Sequence, residues 1–313
     1  MKIPGPTTGL RTIRDYIRWG TSALNRGGVF CGHGMGDTVD EAAYLVAHAV
    51  ALAPVVPEGF LDSALTPEER AGIEALVEKR IATRRPAAYL TGEAWFAGLR
   101  FHVDERVLVP RSPIAELIEA GMAPWLTTGQ PRVLDLGTGS GCIAVACAVH
   151  LDAVVDAVDL SADALEVAAL NVADYGLQES VRLIRSDLFA GLSGRRYDLI
   201  ITNPPYVGAE EMAQLPDEYR HEPDLGLRSG ADGLDIPLRI LAEAGNHLDP
   251  DGTLFLEVGA TAPVLDDALP EAGFEWLSFE RGGDGVAAIG AEQLAAIRSD
   301  VEALLQQRER HGQ

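Results

Sequence analysis

Lysine is almost missing from this 313-residue chain: Lys2 and Lys79 are the only two, and the other basic side chains are arginines and seven histidines. Lys and Arg together number 25 against 47 Asp and Glu, a formal net charge of −22. A surface that acidic repels a phosphate backbone, which argues against direct nucleic-acid specificity. It attracts a basic partner and speeds their encounter, although plain solubility or a salt-adapted host would give the same composition. Cysteine is equally scarce. Cys31, Cys142 and Cys147 form no CxxC pair, which argues against a disulfide framework and a structural zinc site. Cys142 and Cys147 stand five apart on a predicted helix, so they face different ways and read as small buried thiols. The histidines lack the close spacing of a zinc pair, and no metal is expected. No apolar run reaches the length of a membrane span; the richest, Ala42–Val56, carries His48. Met1–Gly5 lacks the basic start and apolar core of a signal peptide. A soluble, cytoplasmic protein is the expectation.

What is present is a globular balance, 47% hydrophobic and 23% charged residues, over a length that suffices for two packed cores. Residues 8 to about 92 read as helical, with apolar residues at helical spacing over Thr12–Asn25 and Val39–Leu52. Thr66-Pro67-Glu68-Glu69 starts a helix that runs to about Thr83: an N-cap, a proline at the first position and acids in the first turn. Leu99, Phe101 and Val103 alternate, as do Val107 and Val109, with Asp104-Glu105 between them as a turn; this predicts a hairpin. A helix follows over Ile114–Ala123. From Arg132 strands alternate with helices: strands at Val133–Leu136, Val154–Asp159, Val181–Arg185, Leu199–Thr202 and Thr253–Val258, helices at Gly141–His150 and Ser161–Tyr175. Repeated βα units imply a parallel sheet covered on both faces. Phe274–Phe279 and Val286–Ile289 are joined by a link too short for a crossover, so that pair is predicted antiparallel. Ala291–Arg308 reads as a surface helix. The expected organisation is a helical substrate-recognition domain over 1–92, a hairpin linker over 93–115 and a Rossmann-like α/β domain over 116–313.

Asp135-Leu136-Gly137-Thr138-Gly139-Ser140-Gly141 ends the first strand of that domain and opens a helix. Glycines at alternate positions let the backbone turn tightly and approach a ligand, and in doubly wound sheets the ligand lies at the carboxyl ends of the strands. The loop alone fits a nicotinamide site as well as an S-adenosylmethionine site. Asp159 ends the second strand, where a carboxylate accepts both ribose hydroxyls of either cofactor, with Leu160 beside it. Ser186-Asp187-Leu188 follows the third strand, where Asp187 suits an adenine amino group and its neighbours suit the ring.

Asn203-Pro204-Pro205-Tyr206 follows the fourth strand and decides for methyl transfer over hydride transfer. Consecutive prolines fix φ, remove two backbone donors and hold the preceding residues extended. The Asn203 side-chain oxygen and the Pro204 carbonyl can then accept both hydrogens of one NH₂ group, while Tyr206 covers the flat face of the substrate. An amide nitrogen is a poor nucleophile because its lone pair is delocalised; two acceptors on its hydrogens aim that lone pair at an activated methyl group. Orientation and electrostatics carry the rate. The expected catalytic residues are Asn203, Pro204 and Tyr206.

With these residues in view, the chain resembles the protein-(glutamine) methyltransferases that modify translation components. Asn-Pro-Pro-Tyr alone also fits enzymes that methylate exocyclic amines of nucleic-acid bases. Arg85-Pro86-Ala87-Ala88-Tyr89-Leu90-Thr91-Gly92, Val107–Arg111 and His221-Glu222-Pro223 with Ser229–Leu234 narrow the resemblance, which covers nearly the whole chain. The branch that methylates peptide chain release factors usually has an acid-Thr-Glu run after Pro-Arg-Pro. Here Pro110-Arg111-Ser112-Pro113-Ile114-Ala115-Glu116 resembles the branch that methylates protein three of the large ribosomal subunit. Gly32-His33-Gly34 and Phe279–Val286 resemble that branch too. The resemblance implies a class I S-adenosylmethionine-dependent methyltransferase fold and a basic ribosomal protein as substrate, free or in an assembly intermediate. It implies a cofactor site of Asp135, Gly137, Thr138, Gly139, Gly141, Asp159, Leu160, Ser186, Asp187, Leu188 and Asn203. It implies substrate contacts at Asn203, Pro204, Pro205 and Tyr206, with Arg111 and Glu222 as further candidates that would otherwise tie down their own segments. His33 belongs either to a substrate-facing surface or to packing.

Overall fold

The computed structural model describes residues 9–126 and 129–311; the N-terminal segment read above for a signal peptide lies outside them. The chain divides into two compact units, Met1–Glu93 with Pro216–His221, and Ala94–Leu215 with Glu222–Gln313.

The first unit is helical: α1 (Ile13–Gly27), α2 (Thr38–Ala49), α3 (Glu58–Leu61), α4 (Pro67–Thr83) and α5 (Ala87–Thr91). α1 and α4 both start on full capping boxes, Thr12 with Asp15 and Thr66 with Glu69, so two orphan donors are satisfied at each helix start. Tyr16, Leu24, Leu45, Ile73 and Val77 bring α1, α2 and α4 around one core. A buried ionic cluster sits within this unit. Arg80 donates to Glu41 at 2.5 Å, to Glu218 at 3.3 Å and to the Phe30 carbonyl at 2.9 Å. Removing one partner from such a cluster leaves a buried charge uncompensated, so it fixes geometry at a cost in tolerance. His33 is buried, its ring 4.4 Å from that of Tyr219, which is a packing position.

The second unit opens with a hairpin, β1 (Glu93–Phe96) and β2 (Leu99–His102). The sequence reading displaced this hairpin: residues 103–109 continue the alternation but pair with no strand among the described residues. The turn is Ala97-Gly98, both at positive φ (47° and 72°), which suits a two-residue hairpin link. Asp104 instead makes a local turn, accepting from Arg106 through backbone and guanidinium. After the short α6 (Ile114–Glu119), which stops before the predicted Ala123, come β3 (Arg132–Leu136), α7 (Cys142–Leu151), β4 (Val154–Asp159), α8 (Ala162–Asp174), β5 (Val181–Arg185) and β6 (Tyr197–Thr202). The chain continues through α9 (Ala209–Gln214), α10 (Asp235–Ala244), β7 (Leu248–Glu257), α11 (Ala262–Ala268), β8 (Glu275–Trp276), β9 (Val286–Gly290) and α12 (Ala291–His311).

The seven-stranded sheet has the order β5-β4-β3-β6-β7-β9-β8. Its first five strands are parallel; β9 runs antiparallel to β7 and to β8. β8 is far shorter than the predicted Phe274–Phe279. The order reverses between β3 and β4 on one side and β6 on the other, so the carboxyl ends of β3, β4 and β6 open onto one crevice, the place such sheets bind ligands. Buried residues such as Leu134, Leu136, Ile200, Leu254 and Leu256 hold the strands against α10 and α12.

Candidate active site

One cavity opens at those strand ends, lined by residues 106–112, 137–140, 158–161, 186–188, Asn203, Pro205 and the stretch from Pro223 to Arg228, among others. Its floor is the glycine loop after β3. Gly137 and Thr138 donate their backbone N–H groups to the Val158 carbonyl at 2.8 and 2.9 Å, which bends the loop toward β4. Gly137, Gly139 and Gly141 all lie at positive φ, 73°, 54° and 80°. Gly141 has a different task from the other two. A Cβ there would lie 3.2 Å from that of Ala168, so this glycine lets α7 start close against α8, and it does not face the cavity.

Asp159 holds the loop from the other side. One carboxylate oxygen accepts from Gly139 N–H at 2.9 Å and the other from Ser161 N–H at 2.8 Å. Burial pushes its pKa up, opposed by these backbone donors. The carboxylate retains lone pairs for two hydroxyls. Asp187 lines the cavity near the surface and accepts from Arg239 at 2.9 Å. Asp135 is placed otherwise than expected. It is fully buried beneath the loop, accepting from Thr138 Oγ1 at 2.5 Å and Ala144 N–H at 3.1 Å, and it does not line the cavity. Burial raises its pKa to about 7, and its second oxygen has no hydrogen-bond partner among the described residues.

The Asn203 segment leaves β6 beside this loop. Leu136 and Thr202 are opposite one another in the sheet, and a Cβ on Gly137 would come within 4.0 Å of the Asn203 carbonyl. The Asn203 side chain faces the cavity and has no hydrogen-bond partner among the described residues, so its amide oxygen is an available acceptor. Pro205 also faces the cavity; Pro204 is buried, and neither it nor Tyr206 lines the cavity. Tyr206 is held by its backbone and its ring. Its carbonyl accepts from Thr261 Oγ1 at 2.8 Å, and its ring packs on Gly259, where a Cβ would come within 3.0 Å of it. Behind it, Val207 N–H donates to the Leu227 carbonyl and Ser229 N–H to the Val207 carbonyl, at 2.8 and 2.9 Å, stitching the loop to the 225–231 stretch.

Residues 107–112 form the opposite wall. Arg111 lines it and makes a two-pronged ion pair with Glu222, at 2.6 and 2.8 Å; Glu222 also accepts from Val109 N–H at 3.0 Å. The Glu222 side chain is 0% exposed and that of Arg111 20%, so Glu222 orders two segments and only Arg111 is presented to the cavity. Sequence reasoning missed Ser112, Cys142, Ile143, Leu108 and Leu225, which also line it. Periodicity marks which residues an element buries and not which of them face a ligand, whether on the wall at 108–112 or at the start of α7.

The cavity fits S-adenosylmethionine on its own chemistry. It offers a glycine turn with close backbone approach, a carboxylate at the β4 end, and apolar side chains (Ile143, Leu160, Leu188) that suit a purine ring. Among the described residues no cluster of His, Cys, Asp or Glu could hold a metal ion, and no helix is long and apolar enough to cross a membrane.

The family model described as "Methyltransferase small domain" matches residues 122–216. The ribosomal protein uL3 glutamine methyltransferase of Bordetella pertussis is 49% identical over 91% of this chain and 97% of its own length. Those of Neisseria meningitidis serogroup B and Xanthomonas campestris pv. campestris are each 50% identical, over 91% and 92% of this chain and 95% and 94% of theirs. The glycine loop, the Asn-Pro-Pro-Tyr segment and this full-length likeness agree: the chain belongs to the family of ribosomal protein uL3 glutamine methyltransferases.

Proposed function

We propose that this enzyme transfers a methyl group from S-adenosylmethionine to the side-chain amide nitrogen of one glutamine in ribosomal protein uL3. The observation that carries the reading is the pairing of a glycine loop after β3 with Asn203 after the adjacent strand β6. When bound, S-adenosylmethionine supplies an already activated methyl electrophile. The chain's own task is therefore orientation. Asn203 Oδ1 and the Pro204 carbonyl accept the two amide hydrogens, which fixes the NH₂ plane and directs the nitrogen lone pair toward the glycine loop. Tyr206, wedged on Gly259 and set back from the cavity lining, fixes the Asn203–Tyr206 turn and through it the plane of the amide.

An acidic protein with net charge −22 suits a basic ribosomal protein, and the same charge disfavours naked nucleic acid. The resemblance of the Arg111-Ser112-Pro113 segment supports uL3 over a release factor. The substrate is proposed as uL3, free or in an assembly intermediate, and the reaction as cytoplasmic. Arg111 is proposed as a substrate-facing residue and Glu222 as the residue that holds it. Incubation with purified uL3 and labelled donor, followed by mass mapping, tests the reading: a single methyl on one glutamine is expected, and no transfer would overturn it.

A further inference from the structure

Glu257 is a buried acid at the catalytic end of the sheet that orientation of the amide does not use. It is the last residue of β7, and Leu256 before it lies opposite Thr202 of β6. Asn203 and Glu257 are therefore the next residues on neighbouring strands. Glu257 has one hydrogen-bonding partner among the described side chains: Ser112 Oγ donates to its Oε2 in a short bond. Ser112 is itself buried yet lines the cavity. Its hydroxyl also accepts from Ile114 N–H at 3.1 Å. With one lone pair taken by that amide and its proton directed at Glu257, the remaining lone pair of Ser112 Oγ is the one left for a ligand.

A methylated amide nitrogen that still carries both hydrogens is a strong acid and must shed one. Asn203 and the Pro204 carbonyl are neutral acceptors and cannot keep it. We propose that Ser112 and Glu257 form the relay that takes this proton. The lone pair of the amide nitrogen forms the new N–C bond as the carbon–sulfur bond breaks and its electrons stay on sulfur. As the nitrogen becomes tetrahedral, the N–H that the Pro204 carbonyl had held turns to Ser112 Oγ and gives up its proton there, while the Ser112 hydroxyl proton passes to Glu257 Oε2. The proton returns by the same route to water when the products leave. Ser112 touches the substrate, and Glu257 acts through it as a positioning and proton-accepting residue. This inference rests on the reading that the acceptor is a glutamine amide held at Asn203.

The surroundings of Glu257 suit an acceptor that recovers its proton affinity near neutrality. Burial raises its pKa to about 7, Asp284 adds to the rise, and Ser112 and Arg111 oppose it. Arg111 is in turn neutralised by Glu222. The ionised form is the active one, so turnover rises with pH through about 7 and then levels.

The test is the pH dependence of kcat on purified uL3 for the wild type, Glu257→Gln and Ser112→Ala, with the methylated residue mapped in each case. Gln keeps an acceptor for the Ser112 hydroxyl but cannot take its proton. Both variants are expected to lose about 10- to 100-fold in kcat, in the range of general-base effects. The neutral inflection should vanish, donor affinity by calorimetry should stay near the wild-type value, and Glu257→Asp should restore part of the inflection. A wild type that methylates no glutamine overturns the substrate reading and the relay with it. A wild type that methylates glutamine alongside variants with unchanged kcat and inflection overturns the relay alone. Should Glu257→Gln fail to fold, Ser112→Ala, a smaller change, decides in the same way.

Discussion

The Thr202 hydroxyl donates to the Leu136 carbonyl at 2.8 Å, tying the strand end that launches the glycine loop to the strand end that launches Asn203. On the proposed reading, methyl donor and amide acceptor are positioned by one rung of a parallel sheet, so the precision of the site is that of the sheet rather than of two long loops.

In the proposed reading Asn203→Ala removes an acceptor for the reacting amide and leaves the glycine loop, Asp159 and Asp187 of the same cavity in place. Turnover is expected to fall at least about 100-fold, the scale of a lost transition-state hydrogen bond. Calorimetric binding of S-adenosylmethionine should stay within a small factor of wild type. Equal loss of both would show that Asn203 builds the donor site instead.

Gly259→Ala places a methyl group within 3.0 Å of the Tyr206 ring at a backbone φ of 47°, where side chains are strained. The ring must shift. Steady-state kinetics should show a raised KM for uL3 and a lower kcat, with donor binding preserved. Wild-type kinetics would remove Tyr206 from the account.

Glu222→Ala removes the two-pronged ion pair to Arg111 and the acceptor of the Val109 N–H. Breaking a buried pair costs about 3–5 kcal/mol, so thermal unfolding should shift clearly downward. A double variant with Arg111→Met should recover part of the loss, since no charge is then stranded.

Asp135 gives a pH signature in stability. Its folded pKa of about 7 lies above its ordinary value of 3.8. The protonated form is the one that folding favours, so the contribution is fully present below about pH 4 and is lost as pH rises through about 7. Asp135→Asn can still accept from Thr138 and Ala144 but never ionises. Its Tm relative to wild type should therefore improve from pH 5 to pH 8; a constant difference would contradict the buried ionisation.

Much of this site was legible in the residues. Asn203, Gly137, Gly139 and Asp159 come together as expected, because strand ends announce themselves through apolar runs and the topology of a parallel sheet does the rest. Three features were not legible. Glu93–Phe96 is too short to show a period, so the hairpin was read one strand too late. Asp135 sits in the glycine motif yet turns inward, since the tight turn brings Thr138 and Ala144 over it, and sequence spacing cannot show that. Glu257 lies inside the predicted Thr253–Val258 strand and was not singled out, although a lone acid after Leu254-Phe255-Leu256 is itself a signal, because burying it demands a partner.

The central claim is tested most directly by labelled-methyl transfer to purified uL3 and to a peptide chain release factor in parallel, with the product mapped by mass. Methylation of a single uL3 glutamine, with the release factor unlabelled, is the predicted result. Label on the release factor alone, or on neither protein, would contradict it.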